Sequence, residues 1–430
     1  MSERTIRVKA LCRVEGEGGL LVRLKSGTVE EVRLEIYEPP RLFEALLAGR
    51  PLEDVPDITA RICGICPVAY QMSSVHALEA ALGVTVPAEI RRLRRLLYCG
   101  EWIESHALHM VLLHAPDFLG YDSGLEMAKD FPEAVERGLR LKKYGNQLLA
   151  KLGGRSVHPV NVAVGGFYRV PRSEELAPLI ANFQWGLEAA SEMLRWVAAF
   201  DFPDFDRRYD FVSLVHPDEY PMNEGRITSS DGTSLTAAEY ETTFEEFQVP
   251  HSTALHSRRK STGGIYLVGP LARVNLNLQR LSPVARRLAD EVGIDWPSAN
   301  PYQSIVARGL EVVHAFDEAL AILRDLPRPK SSRVSYTYRE ASGAAATEAP
   351  RGLLYHRYDI DAAGAVRQAK IVPPTSQNQS QIEDDLRQLL PRVLPEGDEP
   401  AARGCERLVR SYDPCISCAT HFLKLKIQRD

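Results

Sequence analysis

The chain has 430 residues, 44 % of them apolar and 25 % charged, with 52 Lys plus Arg against 57 Asp plus Glu for a formal net charge of −5. That is a globular composition able to bury a large core; it excludes wholesale disorder, collagen and coiled coil, and leaves no electrostatic footprint for nucleic acid. No apolar run approaches the ~20 residues of a bilayer span, and the start MSERTIRVKA has no signal-peptide core, so a cytoplasmic protein with no membrane association is expected.

Length alone suggests two or three lobes of about 100–200 residues. Residues 5–37 alternate apolar and charged side chains, with glycines at 16–19 and Ser26-Gly27 as punctuation, which predicts an antiparallel meander. After Pro39-Pro40 the period turns helical over 41–47, and a Pro-rich connector follows. Apolar residues then recur at spacings of three and four over 67–82 and 87–113, and further helices are predicted over 124–152 and 172–200. Residues 61–200 therefore read as the first cysteine pair and a helical bundle. Residues 201–275, rich in Asp, Thr, Ser and aromatics, read as a loop-and-strand excursion. In 276–421, helices return near 276–290 and 301–325, and a surface-crossing loop is predicted over 327–350. Strands over 352–360 and 365–372 make a hairpin around Asp361-Ala362-Ala363-Gly364. A final helix from about Gln379 precedes the second cysteine pair. The expected class is α+β: a central bundle of long helices with small peripheral antiparallel sheets.

Seven cysteines are an odd number and a low density for this length, against a disulfide framework. Cys12, Cys99 and Cys405 stand alone and read as small core residues. Cys63/Cys66 and Cys415/Cys418 form two C-x-x-C pairs. Two thiols at that spacing can point at one atom, and a helix N-terminus, expected beside each pair, favours the thiolate. One such pair is weak evidence, open to a structural zinc half-site or a chance pairing. Two pairs, with no zinc-finger histidine beside the first, point to a shared metal whose identity spacing leaves open. His106, His109 and His114 on one predicted helix read as satisfied or partner-facing, and Arg91, Arg92, Arg94 and Arg95 as a solvated helix face.

RICGIC at 61–66 and DPCISCATH at 413–421 resemble the paired signatures of the large, catalytic subunit of nickel-iron hydrogenases. RVEGEG at 13–18, GGRSVHP at 153–159 and EAPRG at 348–352 match further segments in the family's order. Within it, PVAYQMSS at 67–74 and IESHALH at 103–109 most resemble the alpha subunit of cytosolic NAD(P)-linked hydrogenases, or sulfhydrogenases. The resemblance implies one large-subunit domain over 1–421 and reversible heterolytic cleavage of H2 at a nickel-iron centre whose iron carries one CO and two cyanides. It makes Cys63 and Cys415 terminal nickel ligands, Cys66 and Cys418 bridges to iron, the Cys415 thiolate the proton acceptor and Glu15 the proton relay. Spacing alone would leave Glu15 a solvated hairpin carboxylate. Soft thiolates suit such metals.

By the same resemblance Arg351, with its five fixed donors, would hold the cyanide nitrogens. Glu44, the backbone carbonyl of Lys370 and His421 would bind magnesium or iron(II). Asp413, Pro373 and Thr375 would surround the centre, Thr375 as substitute donor because Pro374 falls where a serine often stands. Ser105 and Tyr70 replace an aspartate and a histidine common in respiratory members. Family processing after the basic residue beyond the last cysteine implies removal of 422–430, FLKLKIQRD, by a maturation endopeptidase, with metal-insertion proteins supplying the centre. The chain has no spare cysteine set for a cluster and no G-x-G-x-x-G fingerprint. Iron-sulfur clusters, FAD and NAD(P) are therefore expected only in partners: an iron-sulfur small subunit and flavin/NAD(P) diaphorase subunits. Two alternatives stand: the same site serving a deazaflavin or ferredoxin, and a non-catalytic zinc-binding scaffold or sensor.

Overall fold

Alternation at the N-terminus becomes a three-stranded antiparallel sheet of β1 (Glu3–Val8), β2 (Gly18–Lys25) and β3 (Thr28–Ile36). Ser26 and Gly27, with φ of 52° and 82°, supply the two positive-φ positions that a tight hairpin between twisted strands requires. Period two puts Leu20, Val22, Leu24, Val32 and Leu34 on the sheet's buried positions, in one apolar cluster with Ile382, Leu386, Leu390 and Leu408. The computed structural model describes residues 3–326 and 328–420, with Glu3 as backbone only.

The helices of the centre are α1 (Phe43–Leu47), α2 (Pro67–Leu82), α3 (Ala88–Leu108), α4 (Pro132–Gly153) and α5 (Leu179–Ala198). α2 has the predicted bounds because Pro67 occupies its first turn and Gly83, at φ 70°, its left-handed stop. α3 ends five residues before the predicted limit and passes into a π-helical segment, His109–His114. Pro116 lies just beyond it and has no N–H to extend an α-helical ladder. The arginine run of α3 is not a solvated face. Arg94 and Arg95 are buried, Arg94 against Glu79 at 2.6 Å and Arg95 against Glu219 and Glu318 at 2.8 and 2.5 Å; only Arg92 keeps substantial exposure.

The excursion holds a sheet of β4 (Val212–Val215), β5 (Arg226–Ser229) and β6 (Ser234–Leu235), then a ribbon of β7 (Phe244–Gln248) and β8 (Leu255–Arg259). α6 (Pro270–Asn277), α7 (Pro283–Glu291) and α8 (Ser304–Arg324) follow. The expected loop before residue 350 is partly a strand: β9 (Ala341–Ala349) pairs with β10 (Gly352–Ile360), which pairs with β11 (Val366–Val372), so the hairpin is a three-stranded sheet. β9 is mostly Ala, Ser and Gly because it lies directly on α2. A Cβ on Gly343 would strike the backbone of Ala77 and Ala81.

α9 (Pro374–Val393) starts five residues before the expected position, and a further helix, α10 (Asp398–Ser411), follows a break at Gly397. The first turns of α9 carry no apolar stripe, since their polar side chains bond buried backbone. Gln377 Nε2 donates to the Leu353 carbonyl at 2.6 Å, and Asn378 accepts from and donates to Val268. Cys99 and Cys405 are core residues as expected, but Cys12 is exposed.

Candidate metal centre

The first cysteine pair is held by the start of α2. Cys66 is its N-cap, and the Ile65 and Cys66 amides both donate to Cys63 Sγ at 3.3 Å. Glu101 of α3 accepts from the Val68 and Ala69 amides at 2.6 and 3.0 Å, so orphan donors of the helix end are met by a fixed carboxylate. The second pair follows Asp413, whose φ of 53° turns the chain. The expected helical first turn is absent here. Glu15 and Cys415 instead form a parallel bridge, the Ile416 amide donating to the Glu15 carbonyl at 2.9 Å, and a 3-10 turn, Ser417–Ala419, follows. Gly16, at φ 89°, permits this approach, since a Cβ there would sit 2.7 Å from that of Ile416.

These two segments bring four buried sulfurs together, with all four ligand atoms within 4.8 Å of one another. Cys63 Sγ is 3.5 Å from Cys415 Sγ, Cys66 Sγ 4.0 Å from Cys418 Sγ, and Cys415 Sγ 2.7 Å from Cys418 Sγ. None is a disulfide, which needs about 2.05 Å. Two sulfurs bound to one tetrahedral ion at about 2.3 Å stand roughly 3.8 Å apart, a value that the 3.5 and 4.0 Å separations straddle, while Cys415 and Cys418 at 2.7 Å stand closer than one shared ion would hold them. Hydrogen bonds from Cys415, Cys418 and Cys66 hold the Cys63 thiol well below its ordinary pKa, while burial pushes Cys415 and Cys418 up. The donor set thus fits a thiophilic first-row metal in a dry pocket.

The comparisons agree with this geometry. The model of the family described as nickel-dependent hydrogenase matches residues 41–138 and 260–421. The chain belongs to that family. It is similar to the sulfhydrogenase 1 and sulfhydrogenase 2 alpha subunits of Pyrococcus furiosus, at 33 % and 34 % identity. In both cases 98 % of this chain is covered, with 98 % and 100 % of the relatives. Among solved structures, a NAD+-reducing [NiFe]-hydrogenase in the H2-reduced state superposes with a TM-score of 0.88 at 26 % identity, covering 97 % of this chain and 99 % of that one.

Around the sulfurs of this hydrogenase large subunit lie most of the residues singled out in the sequence. The Cys415 thiol donates to Glu15 Oε2 at 3.1 Å, and the same oxygen accepts the Ser417 amide at 3.1 Å. Arg351 is buried; its Nε donates to the Asp413 carbonyl at 2.6 Å and its Nη2 to Asp413 Oδ1 at 2.9 Å. Its Nη1 has no partner among the described residues. Thr375, on α9 just after Pro373 and Pro374, accepts the Cys415 amide at 2.9 Å. Tyr70 is buried, its hydroxyl without a partner among the described residues and its pKa pushed well up by burial and the cysteines; the Ser105 hydroxyl is likewise buried with no partner among them.

Glu44 lies elsewhere. Its carboxylate accepts the Ile371 amide at 2.8 Å, beside the peptide that joins Lys370 to Ile371. His421 and the segment 422–430 are outside the described residues. His109 Nε2 donates to the Arg410 carbonyl at 2.8 Å, as a satisfied histidine should; His106 Nε2 stands 2.9 Å from Glu311 but without hydrogen-bond geometry, so that neither of its nitrogens has a hydrogen-bond partner among the described residues. His114 departs from that expectation: its ring packs on Phe118 with neither nitrogen partnered among the described residues.

Two supports were not singled out in the sequence. Glu101 caps α2, and its only signal is a carboxylate amid the wholly buried stretch Leu96–Ala107. Arg273 is fully buried between Glu311 and Glu348, at 2.7 and 2.9 Å, with its guanidinium over Trp102. Glu348 opens the EAPRG segment, so this pair anchors the turn that presents Arg351.

Proposed function

We propose that the four cysteines of this hydrogenase hold a nickel-iron group, Cys63 and Cys415 on nickel and Cys66 and Cys418 shared with iron, and that the assembled enzyme couples H2 oxidation to NAD(P) reduction. The single observation that supports the site reading is the contact of the Cys415 thiol with Glu15. When bound, the group would supply the centre at which H2 separates into two protons and an electron pair. The chain's own residues handle the proton: Cys415 Sγ accepts it and passes it to Glu15 Oε2, whose backbone bridge keeps donor and acceptor in reach. Arg351, anchored on Asp413, offers Nη1 to the cyanides of the iron, and Thr375 supports Cys415. Burial of all four sulfurs excludes water from the reacting atoms.

Glu44, the Lys370 carbonyl and His421 are proposed to bind magnesium or iron(II), and 422–430 to be removed during maturation. The electrons leave through an iron-sulfur small subunit to a flavin and NAD(P) module, in the cytoplasm. The similarity to a NAD+-reducing hydrogenase over nearly the whole of both chains supports this acceptor. No helix among the described residues is long and apolar enough to cross a membrane.

The test uses the complex purified from its native host. Equimolar nickel and iron, infrared bands of CO and cyanide, and H2-dependent reduction of NAD+ or NADP+ are expected. Zinc alone would return the scaffold reading, and reduction only of a deazaflavin or ferredoxin would replace the acceptor. An intact mass ending at Asp430 in active enzyme would rule out the cut.

A further inference from the structure

A second convergence of ligand atoms shares no residue with the sulfur set. His251 lies in the turn between β7 and β8, His256 on β8, and Glu383 on α9, against which β8 packs. One ligand atom from each lies within 4.8 Å of the others. His251 Nε2 is 2.7 Å from Glu383 Oε1, and the Leu34 amide of β3 donates to the same oxygen at 2.9 Å, which fixes the carboxylate from behind. His256 is 1 % exposed. Its Nδ1 is 3.1 Å from Ser380 Oγ, one turn before Glu383 on the same face of α9, and its Nε2 is buried with no partner among the described residues.

We propose that His251, His256 and Glu383 form a second metal site, for a divalent ion of the zinc class. Two imidazoles and a carboxylate are a three-ligand set that such ions accept with a fourth position left to water, whereas magnesium and calcium prefer oxygen throughout. The arrangement has the outer support a metal-binding imidazole needs: in the tautomer protonated at Nδ1, His256 donates to Ser380 Oγ at 3.1 Å and leaves the Nε2 lone pair for the ion. The side chains of His251 and Glu383 are 15 % and 14 % exposed, so an ion and its water have a path from solvent.

A bare contact of His251 with Glu383 accounts for two of the three residues but leaves the buried His256 Nε2 without a partner among the described residues. A shared ion satisfies all three. It would tie the β7–β8 turn to α9 and, through the Leu34 amide, to the N-terminal sheet, on the helix whose first turn carries Thr375. Its role is that of a staple rather than a participant in hydrogen chemistry.

The experiment takes the mature complex, strips loosely held ions with EDTA, equilibrates it with zinc chloride and counts metals by mass spectrometry. One zinc per large subunit beyond nickel and iron is expected, absent in His256→Ala and in His251→Ala, with an anomalous zinc peak between the three side chains. Ser380→Ala should keep the site with zinc affinity reduced about tenfold. The His251 change sits on a partly exposed turn and spares the buried core, so it reports even where His256→Ala fails to fold. Equal zinc in wild type and His251→Ala, or no anomalous peak at the triad, overturns the proposal.

Discussion

Glu15 and Cys415 are joined twice, by a thiol-to-carboxylate hydrogen bond of 3.1 Å and by a parallel backbone bridge between the same two residues. Main-chain pairing therefore sets the distance over which a proton would move. Glu15→Gln keeps the bridge and an acceptor for the Ser417 amide but removes the ionisable group. Metal content should stay at the wild-type level while proton exchange, followed with D2 gas, falls by about 10²-fold or more. Normal exchange would reject the relay.

Arg273 is the shared partner of Glu311 and Glu348 in a fully buried triad. Arg273→Met leaves two carboxylates without their cation. A loss of about 3–5 kcal/mol in urea unfolding of the large subunit is expected, as for other broken buried pairs. An unchanged midpoint would show that the triad does not hold the turn presenting Arg351.

Two buried carboxyls give stability a pH slope of definite sign. Burial raises Glu104 to about 7 against the opposing pull of Lys142, and raises Glu348 to about 7 against Arg273. The folded chain thus keeps protons that the unfolded chain releases. Their contribution is complete below about pH 4.5 and is lost as the pH rises through 7. Glu104→Gln cannot release a proton, so its thermal midpoint should fall less steeply than that of wild type between pH 4.5 and 7.5. Parallel curves would contradict the assignment.

Gly343 marks where β9 rests on α2. Gly343→Ala forces a methyl against the backbone of Ala77 and Ala81. A loss of about 1–3 kcal/mol is expected by denaturant unfolding. Because α2 carries Cys66 at its N-cap, lower nickel retention should accompany it.

Much of this was legible in the sequence. The N-terminal meander follows from strict alternation, α2 from a proline and a glycine at its ends, and the sulfur set from two identical spacings. What escaped did so for physical reasons. β9 carries mostly Ala and Gly because it lies against a helix, so Thr347 is the one β-branched residue in it to announce a strand. α9 opens on buried polar side chains that serve neighbouring backbone, so it shows no apolar stripe. Arg94 and Arg95 look like surface charge until Glu79, Glu219 and Glu318, from distant segments, are placed beside them. His251, His256 and Glu383 are invisible as a group because only the packing of β8 on α9 makes them neighbours.

Cys63 and Cys415, 3.5 Å apart in space, are 352 positions apart in the chain. At a synthesis rate of about 5–20 residues per second, roughly 20–70 s pass on the ribosome between them. Throughout that interval Cys63 and Cys66 exist as half a pocket, open to any thiophilic ion or oxidant that arrives first. A site that needs all four sulfurs is therefore complete only once Cys418 has followed Cys415 out of the ribosome.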